Sequence, residues 1–398
     1  MESKSLLSRR TFVQRVGYAS AASGLSTLAP WLSATAQPPA TQSPRFAYIG
    51  ATGNAKGLHV FAVEGAHWLP IQTISTATPS ALALHPTQDI LYATHAVETY
   101  RGLPSGAVEA FAIAPHTGCL TSINQQPLSL SATMPSDLAI SPDGRHLAVA
   151  IYGGGAYNLL PIRENGSLDR VSAILKETGS GPHPQHQTSS HPHSLAFNAS
   201  GHLLTTDLGT DRLNIFTITD GKLTRSSQLP QLPGSGPGNL AFHPSSNLLF
   251  IANELDASIS TFRFNILTGE TEHPHHRIST LPANFHGQRS VPTLLLHPSG
   301  KFLYTANRRR ESTHPMADSL VTWKVHPDTA TISPIQHITA NLHRPHVSVI
   351  TSDGASLFVL SHESGILQFP IDPHRGILGK PSQTIAIQTP RSMALRYI

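Results

Sequence analysis

One phrase recurs along most of this chain: a short apolar strand, a polar turn often spelled His-Pro, and a second apolar strand. Its six copies are ALALHPTQDILYATH (81–95), LAISPDGRHLAVAIY (138–152), LAFNASGHLLTTDLG (195–209), LAFHPSSNLLFIANE (240–254), LLLHPSGKFLYTANR (294–308) and VSVITSDGASLFVLSHE (347–363). Self-similarity at a fixed period indicates equivalent units that bury their apolar faces against one another. The repeat therefore limits the chain to folds built from such units.

The spacing and content of the repeat favour one of these folds. Copies recur about every 50 residues, and each is followed by a third strand such as 106–115 and a weaker fourth strand such as 221–229. Four short strands with alternating apolar positions and Gly/Pro turns are typical of a β-propeller blade. The 29 Gly and 32 Pro, against four Met, also argue against a helical bundle.

The two ends of the repeated region complete a further blade. Residues 392–398 (SMALRYI) resemble a first strand without successors, whereas 45–50 (RFAYIG) and 57–63 (GLHVFAV) resemble later strands without a first one. Joining them removes the open edge between the first and last blades. We therefore predict an all-β, seven-bladed propeller over 45–398, closed by both chain ends. Separate sandwich domains are the alternative.

The N-terminal segment, 1–36, has the features of an export signal. Arg9-Arg10 precedes a weakly apolar stretch from Val16 to Leu32, and Ala34-Thr35-Ala36 supplies small residues for signal peptidase. It resembles a twin-arginine signal, which implies the export machinery as a partner and a periplasmic or secreted product. A Sec signal with a chance arginine pair, or a short anchor, is the alternative. Residues 37–44 form a predicted linker.

The charge and the cysteine content of the chain limit the kinds of binding partner and of covalent cross-link that we expect. Residues 1–36 contain four of the 27 Lys and Arg and one of the 23 Asp and Glu, so the formal charge falls from +4 to +1 once they are removed. A nearly neutral domain does not predict nucleic-acid binding or stable membrane insertion. The single cysteine, Cys119, excludes a disulfide framework. We expect a monomer whose partner is a small-molecule lactone or organic acid.

Several local motifs resemble the lactonase family of seven-bladed propellers, which includes 6-phosphogluconolactonase-like and carboxy-muconate cycloisomerase-like members. The matching segments are Tyr152-Gly153-Gly154-Gly155, the stretch from Gly179-Ser180-Gly181-Pro182 to His191-Pro192-His193-Ser194, Asp207-Leu208-Gly209-Thr210-Asp211-Arg212, Gly234-Ser235-Gly236-Pro237, Ile251-Ala252-Asn253-Glu254 and Ala306-Asn307-Arg308. The resemblance covers roughly residues 45–398, and the order and spacing of these motifs carry it. The resemblance implies a lactone hydrolase that acts on a sugar-acid lactone or related cyclic ester.

The resemblance also implies site residues. It carries over His191, Glu254 and Arg308 as base, acid/base and anion-binding residues. Aligning the blades on their turns places His193, His346 and Arg391 where first strands begin at the channel mouth, in a ring with Ser80, Ser136, Gly238 and Pro292. Nearby loops add candidate substrate-binding residues: Asp207, Arg212, Asn253 and Arg289. Hydrolysis of a cyclic ester needs a base that activates water and hydrogen-bond donors that stabilise the oxyanion, and residues of these types supply both.

The chain departs from the family pattern in two places. Gly238 and Asn239 stand where the family has an arginine and a histidine, and His346 stands where arginine is common. Loss of an oxyanion or anion donor weakens transition-state stabilisation. Arg391 or Arg289 is the candidate replacement. Two functions outside lactone hydrolysis therefore stay open: a non-catalytic ligand-binding or scaffold propeller, and a cycloisomerase acting on carboxylated muconate-like acids.

Some of the 24 histidines have structural interpretations that involve no ligand. His85, His243 and His297 lie in His-Pro turns, where we expect structural roles. The cluster from His183 to His193 has metal-compatible spacing but is Pro-rich and holds no acidic residue. We predict no metal and no cofactor. Asp207 and Arg212 have a structural ion pair as their alternative.

Overall fold

Seven four-stranded antiparallel sheets make up the described part of the chain. The computed structural model describes residues 44–397 except 66, 266, 272–273, 282–288, 310–317 and 340–341. The predicted export signal lies outside these residues. The predicted seven-bladed propeller with four antiparallel strands per blade is confirmed.

We number the blades in the order in which their first strands follow around the ring, with blade 1 formed by both chain ends. From the channel outwards, the strands are β28 (Pro390–Arg396), β1 (Phe46–Ala51), β2 (Gly57–Glu64) and β3 (His67–Ile74) in blade 1; β4 (Leu82–Leu84), β5 (Ile90–His95), β6 (Ala107–Ile113) and β7 (Leu120–Pro127) in blade 2; β8 (Pro135–Ile140), β9 (His146–Ile151), β10 (Ala156–Pro161) and β11 (Ala173–Lys176) in blade 3; β12 (Pro192–Phe197), β13 (Leu203–Asp207), β14 (Arg212–Thr219) and β15 (Lys222–Pro230) in blade 4; β16 (Pro237–Phe242), β17 (Leu248–Asn253), β18 (Ser258–Arg263) and β19 (His276–Ser279) in blade 5; β20 (Arg289–Leu296), β21 (Phe302–Arg309), β22 (Ser319–His326) and β23 (Thr331–Ile338) in blade 6; and β24 (Pro345–Ile350), β25 (Ser356–Ser361), β26 (Gly365–Pro370) and β27 (Gln383–Ile385) in blade 7. A 3₁₀ turn spans Gly53–Ala55.

Blade 1 closes the ring as predicted. Strand β28 pairs antiparallel with β1, with Met393 opposite Ile49 and Arg396 opposite Phe46. The amide of Arg45 also donates to the Arg396 carbonyl at 2.8 Å. This pairing places β1 between β28 and β2, so one sheet holds both ends of the repeated region.

The core lies between blades, and this explains the strand patterns. Strands β5 and β17 are buried at every position because a neighbouring blade covers each face. Outer strands such as β11 and β19 alternate between part-buried and exposed residues. Phe250 of blade 5, for example, packs in one cluster with Trp323 of blade 6. The apolar alternation in the repeat therefore reports packing between blades.

The His-Pro turns tie successive blades together. His85, His243 and His297 each place Nε2 about 3 Å from a glycine carbonyl of the next blade, at Gly144, Gly300 and Gly354. In each case Nδ1 accepts backbone N–H groups of its own turn. These partners require the neutral tautomer that carries its proton on Nε2.

Serine hydroxyls join the first strands around the channel. Ser392 donates to the Pro79 carbonyl at 2.7 Å, Ser80 to Pro135 at 2.8 Å, and Ser136 to Pro192 at 3.0 Å. Each bond runs from one blade to the next. The channel wall in blades 1 to 4 is therefore held by the same contact three times.

Candidate active site

A cavity of about 740 Å³ opens at one end of the channel, and all seven blades contribute to its wall. Five of the seven ring positions that aligning the turns predicts line this cavity: Ser80, Ser136, His193, His346 and Arg391. Gly238 and Pro292 are not among its described lining residues. In blades 3, 4 and 7 the pairing of the first strand shifts register around Ser136, His193 and His346. A β-bulge of this kind re-aims a side chain. Here it directs the ring residue to the cavity.

A second ring comes from the residues that directly follow the second strand's buried segment. It consists of Ala96, Tyr152, Leu208, Glu254, Arg308 and His362. Each stands ten or eleven residues after the turn position of its repeat. The strand ends of all these blades meet at the same end of the channel, so one repeat position supplies six different side chains to one cavity.

A third group precedes a proline that lies at or shortly before the start of a first strand. Thr78, Met134 and Arg344 line the cavity, and each has a left-handed backbone, with φ of 27°, 51° and 55°. Such φ values are rare for residues other than glycine and persist where the surroundings impose them. The amide of Arg344 donates to Asp318 at 2.8 Å, which holds this conformation.

The carboxylate of Glu254 is the centre of the cavity's polar contacts. Its Oε2 lies 3.0 Å from His193 Nε2, and its Oε1 lies 3.2 Å from an Arg308 nitrogen and accepts the Ser290 hydroxyl at 2.8 Å. Burial alone would raise the pKa of Glu254, but the hydrogen bond from His193 and the charges of His193 and Arg308 outweigh burial and hold it well below its ordinary value. Glu254 is therefore ionised at neutral pH.

Two loop motifs of the sequence fix the backbone that carries this carboxylate. The Glu254 amide donates to Gly236 at 2.6 Å, inside the Gly234-Ser235-Gly236-Pro237 loop. That loop is held by Asp211, whose carboxylate accepts the amides of Gly234 at 2.7 Å and Gly236 at 2.8 Å. The motif around Asp211 thus fixes the backbone that presents Glu254.

His191 lies behind the cavity wall. Its ring stacks on Tyr152 at 4.4 Å, and its Nδ1 lies 2.9 Å from the Tyr152 carbonyl. Tyr152 and His193 line the cavity, whereas His191 is absent from the described lining residues. The structure therefore brings together Glu254, Arg308 and His193, with His191 supporting Tyr152.

The loop candidates have mainly backbone and packing contacts. Asp207 is fully buried and accepts the Ser190 hydroxyl and the amides of His191 and Gly209 at 2.6–2.9 Å. Arg212 stands opposite Asp207 in the β13–β14 ladder, outside the described cavity lining. Asn253 donates to the hydroxyls of Ser258 and Ser260, both at 2.9 Å.

The backbone of Arg289 pairs with Arg309 at the start of β20. Its side chain lies outside the described part of the chain.

One side of the cavity is strongly cationic. Arg308, Arg344 and Arg391, from blades 6, 7 and 1, all line it, against the single lining carboxylate of Glu254 among the described residues. Burial, together with the charges of Arg308 and Arg391, lowers the pKa of His346 to about 3. Burial and the nearby arginines lower the pKa of His362 to about 4. Both imidazoles are neutral at pH 7, and the guanidinium groups give the cavity a net positive charge.

Gly238, the position of the missing arginine, leaves room beside His193. A Cβ built there would lie 3.6 Å from His193 Nδ1 and 3.4 Å from the Ala252 carbonyl, which is ordinary contact. His193 Nδ1 is buried and has no hydrogen-bond partner among the described residues. The departure from the family pattern thus borders the Glu254–His193 pair directly.

The described residues contain no group of three or more His, Cys, Asp or Glu side chains arranged to hold a metal ion. His183 Nδ1 accepts the amides of Gln185 and His186, both at 3.3 Å. Within the described residues, no helix has the length and apolar character needed to cross a bilayer.

Sequence reasoning did not select Arg344, His362 or Met134 for the site. A signal for them existed in the repeat. His362 occupies the same repeat position as Glu254 and Arg308, and Arg344 and Met134 both precede the proline of a first strand. Extending the turn alignment by these two positions would have identified them.

Comparison with known proteins agrees with this architecture. The family model described as lactonase, 7-bladed beta-propeller, matches residues 46–395. The 6-phosphogluconolactonase of Bacillus subtilis is 25% identical over 350 residues, which cover 86% of this chain and 96% of the relative. The 6-phosphogluconolactonase of Formosa agariphila is 26% identical over 365 residues, covering 87% and 98%.

Among solved structures, a periplasmic gluconolactonase of Pseudomonas aeruginosa superimposes with a TM-score of 0.79 at 25% identity, covering 89% of this chain and 99% of that one. The family match spans most of the chain and nearly all of the propeller. The chain belongs to the lactonase family of seven-bladed β-propellers.

Proposed function

We propose that this protein is an exported lactone hydrolase that opens a sugar-acid lactone or a related cyclic ester. The observation that carries the proposal is the Glu254 carboxylate, held between His193 and Arg308 inside an open cavity. A carboxylate, an imidazole and a guanidinium in direct contact provide the proton acceptor and the oxyanion donor that ester hydrolysis needs.

In the proposed reaction, Arg308 donates hydrogen bonds to the lactone carbonyl oxygen, where negative charge develops. Water attacks the carbonyl carbon while hydrogen-bonded to Glu254. The ring C–O bond then breaks, and the proton lost by the water passes through Glu254 to the ring oxygen. The product is the open hydroxy acid, so no further reactant is consumed.

The low pKa of Glu254 defines its part in this scheme. A carboxylate that is ionised at all moderate pH values is a weak base, so it orients the water and relays the proton instead of holding it. His193 donates to the same carboxylate through Nε2 at 3.0 Å and keeps it in place. The cations at Arg344 and Arg391 favour a lactone with a carboxylate or phosphate substituent.

Export is the second element of the proposal. It rests on the Arg9-Arg10 pair and the small residues at Ala34-Thr35-Ala36, and on the periplasmic location in the name of the Pseudomonas relative. Removal of 1–36 and a linker over 37–44 are part of it. Arg9→Lys together with Arg10→Lys should retain the precursor in the cytoplasm, as measured by fractionation and by the mass of the accumulated chain.

Acid release on a panel of lactones tests the activity. The panel contains glucono-δ-lactone, 6-phosphoglucono-δ-lactone, γ-butyrolactone with and without a carboxylate, and an aryl-substituted carboxylated lactone. We expect hydrolysis of at least one anionic lactone well above the uncatalysed rate, followed by pH-stat titration. No acceleration on any member would contradict the proposed activity and favour a ligand-binding propeller.

A further inference from the structure

The two halves of the cavity wall differ in chemistry. Blades 6, 7 and 1 supply the three arginines, whereas blades 2 and 3 supply Ala96, Met134, Pro135 and Tyr152 together with serine and threonine hydroxyls. In a ring of seven, blade 3 stands opposite blades 6 and 7. The cavity is therefore cationic on one side and largely uncharged on the facing side.

On the facing side, the backbone is fixed so that the apolar side chain of Met134 lines the cavity. Met134 is 36% exposed although it is a large hydrophobic residue, and its φ of 51° is in the left-handed region. Its amide donates to the Val97 carbonyl at 3.1 Å, and its carbonyl accepts the Tyr152 amide at 3.2 Å. Hydrogen bonds from two neighbouring segments thus fix a strained backbone that presents a thioether to the cavity.

The glycines of the Tyr152-Gly153-Gly154-Gly155 motif make this arrangement possible. A Cβ on Gly154 would overlap the Ser131 carbonyl oxygen, and one on Gly153 would lie 2.6 Å from the Thr133 hydroxyl. Only glycine lets the segment from Ser131 to Met134 approach so closely. The motif therefore serves the presentation of Met134 and Tyr152.

The two serine hydroxyls on this side have no proton free to donate to a polyol. Ser80 and Ser136 donate their protons to the carbonyls of Pro135 and Pro192. A sugar-like ligand would lose hydrogen bonds to water here and gain contact with Ala96, Met134 and Pro135. Burying a hydroxyl without a partner costs free energy, whereas burying an alkyl or aryl group in the same place is favourable.

We infer that the cavity selects an amphiphilic lactone, with an anionic group toward Arg344 and Arg391 and an alkyl or aryl arm toward Met134. The inference rests on the proposed lactonase function for the reaction but on the cavity wall alone for the ligand's shape. Met134 is in this view a specificity-determining residue that touches the arm of the ligand and not its reacting atoms.

Binding of unreactive acids tests the inference without requiring turnover. Calorimetric titration of the purified protein with 5-phenylpentanoate, gluconate and the uncharged 5-phenylpentan-1-ol should give affinity in that descending order. We expect 5-phenylpentanoate to bind about tenfold or more tightly than gluconate, since burial of an aryl arm supplies that factor. Equal or tighter binding of gluconate, or no binding of 5-phenylpentanoate, would overturn the inference.

Two variants test where the alkyl or aryl arm of the ligand binds. Met134→Gln keeps length and backbone demand but makes the wall polar, and should weaken 5-phenylpentanoate binding about fivefold to tenfold with gluconate unchanged. Leu130→Gln is the matched control, because Leu130 is 69% exposed in the preceding turn and outside the described lining. A Met134→Gln effect equal for both acids would overturn the inference.

The binding experiment with the acids and the activity measurement with the lactones can fail independently of each other. If the phenyl acid binds as expected but no lactone is hydrolysed, the proposed activity is wrong and the ligand class stands. If glucono-δ-lactone is hydrolysed and gluconate binds best, the activity stands and the ligand class is wrong.

Discussion

His193 of blade 4 and Glu254 of blade 5 meet across a blade boundary, with Nε2 and Oε2 3.0 Å apart. Arg308 of blade 6 reaches the other oxygen of the same carboxylate at 3.2 Å. Ser290, also of blade 6, donates its hydroxyl to that oxygen at 2.8 Å, so three consecutive blades contribute to a single hydrogen-bonded group. Since a blade is the repeating unit, this group exists only when the ring is assembled.

Glu254→Gln tests the role of the carboxylate. The amide keeps the size of the side chain but removes the charge that orients water and pairs with Arg308, so we expect kcat/KM for lactone hydrolysis to fall by about 100-fold or more. Initial rates at pH 7 measure this. Glu164→Gln, in an exposed hairpin of blade 3, is the control. A full-rate Glu254→Gln enzyme would remove Glu254 from the reaction.

Arg344→Gln and Arg391→Gln test the cationic side. Each removes one of three guanidinium groups from the wall, so the KM for a carboxylated γ-butyrolactone should rise about tenfold while that for the uncharged ring changes little. The effect should shrink as ionic strength rises. Arg375→Gln, in an exposed outer turn, should leave both values unchanged. Equal effects on the charged and uncharged lactones would argue against an anion site.

Gly154→Ala tests the glycine motif. Its Cβ would overlap the Ser131 carbonyl, and the displacement of that segment should lower the free energy of unfolding by about 1–3 kcal/mol. Gly201→Ala is the comparison. A Cβ added at Gly201 would have open space around it, so the φ of 83° makes backbone strain the only cost of that substitution. Urea unfolding compares the two, and a Gly154→Ala protein as stable as the wild type would contradict this packing argument.

The sequence predicted the fold and most of the first ring because both follow the repeat. Equivalent turns align equivalent residues, so the positions five before each turn pointed to His193, His346 and Arg391, all in the cavity wall. Pairing of both chain ends in blade 1 followed from the same reasoning, because the terminal strands lacked partners.

The identity of the histidine beside Glu254 did not follow. His191 and His193 are two residues apart and would share one face of a regular strand. The register of β12 against β13 shifts between Pro192 and Ser194, which turns His193 toward Glu254 and leaves His191 against Tyr152. Bulges and left-handed residues such as Arg344 re-aim side chains locally, and apolar periodicity does not report them.

The His-Pro turns make stability depend on pH. Burial lowers the pKa of His85, His243 and His297, and protonation would in addition break the bonds that Nδ1 accepts. The unfolded chain therefore takes up these protons first as pH falls. The stability these histidines contribute is complete above about pH 6.5 and is lost progressively below it. Urea unfolding between pH 8 and pH 5 should show this loss.

His243→Asn separates the turn histidines from other acid effects. Asn198 occupies the same turn position in blade 4, where its Oδ1 accepts the amides of Ser200 and His202 at 3.0 and 2.9 Å. At pH 8 the free energy of unfolding of the variant should be about 1 kcal/mol below that of the wild type, because the contact with Gly300 is missing. Between pH 6.5 and pH 5 the variant should lose less stability than the wild type loses. His275→Asn, at an exposed histidine, should preserve the wild-type slope. An unchanged slope in His243→Asn would assign the acid sensitivity to other groups.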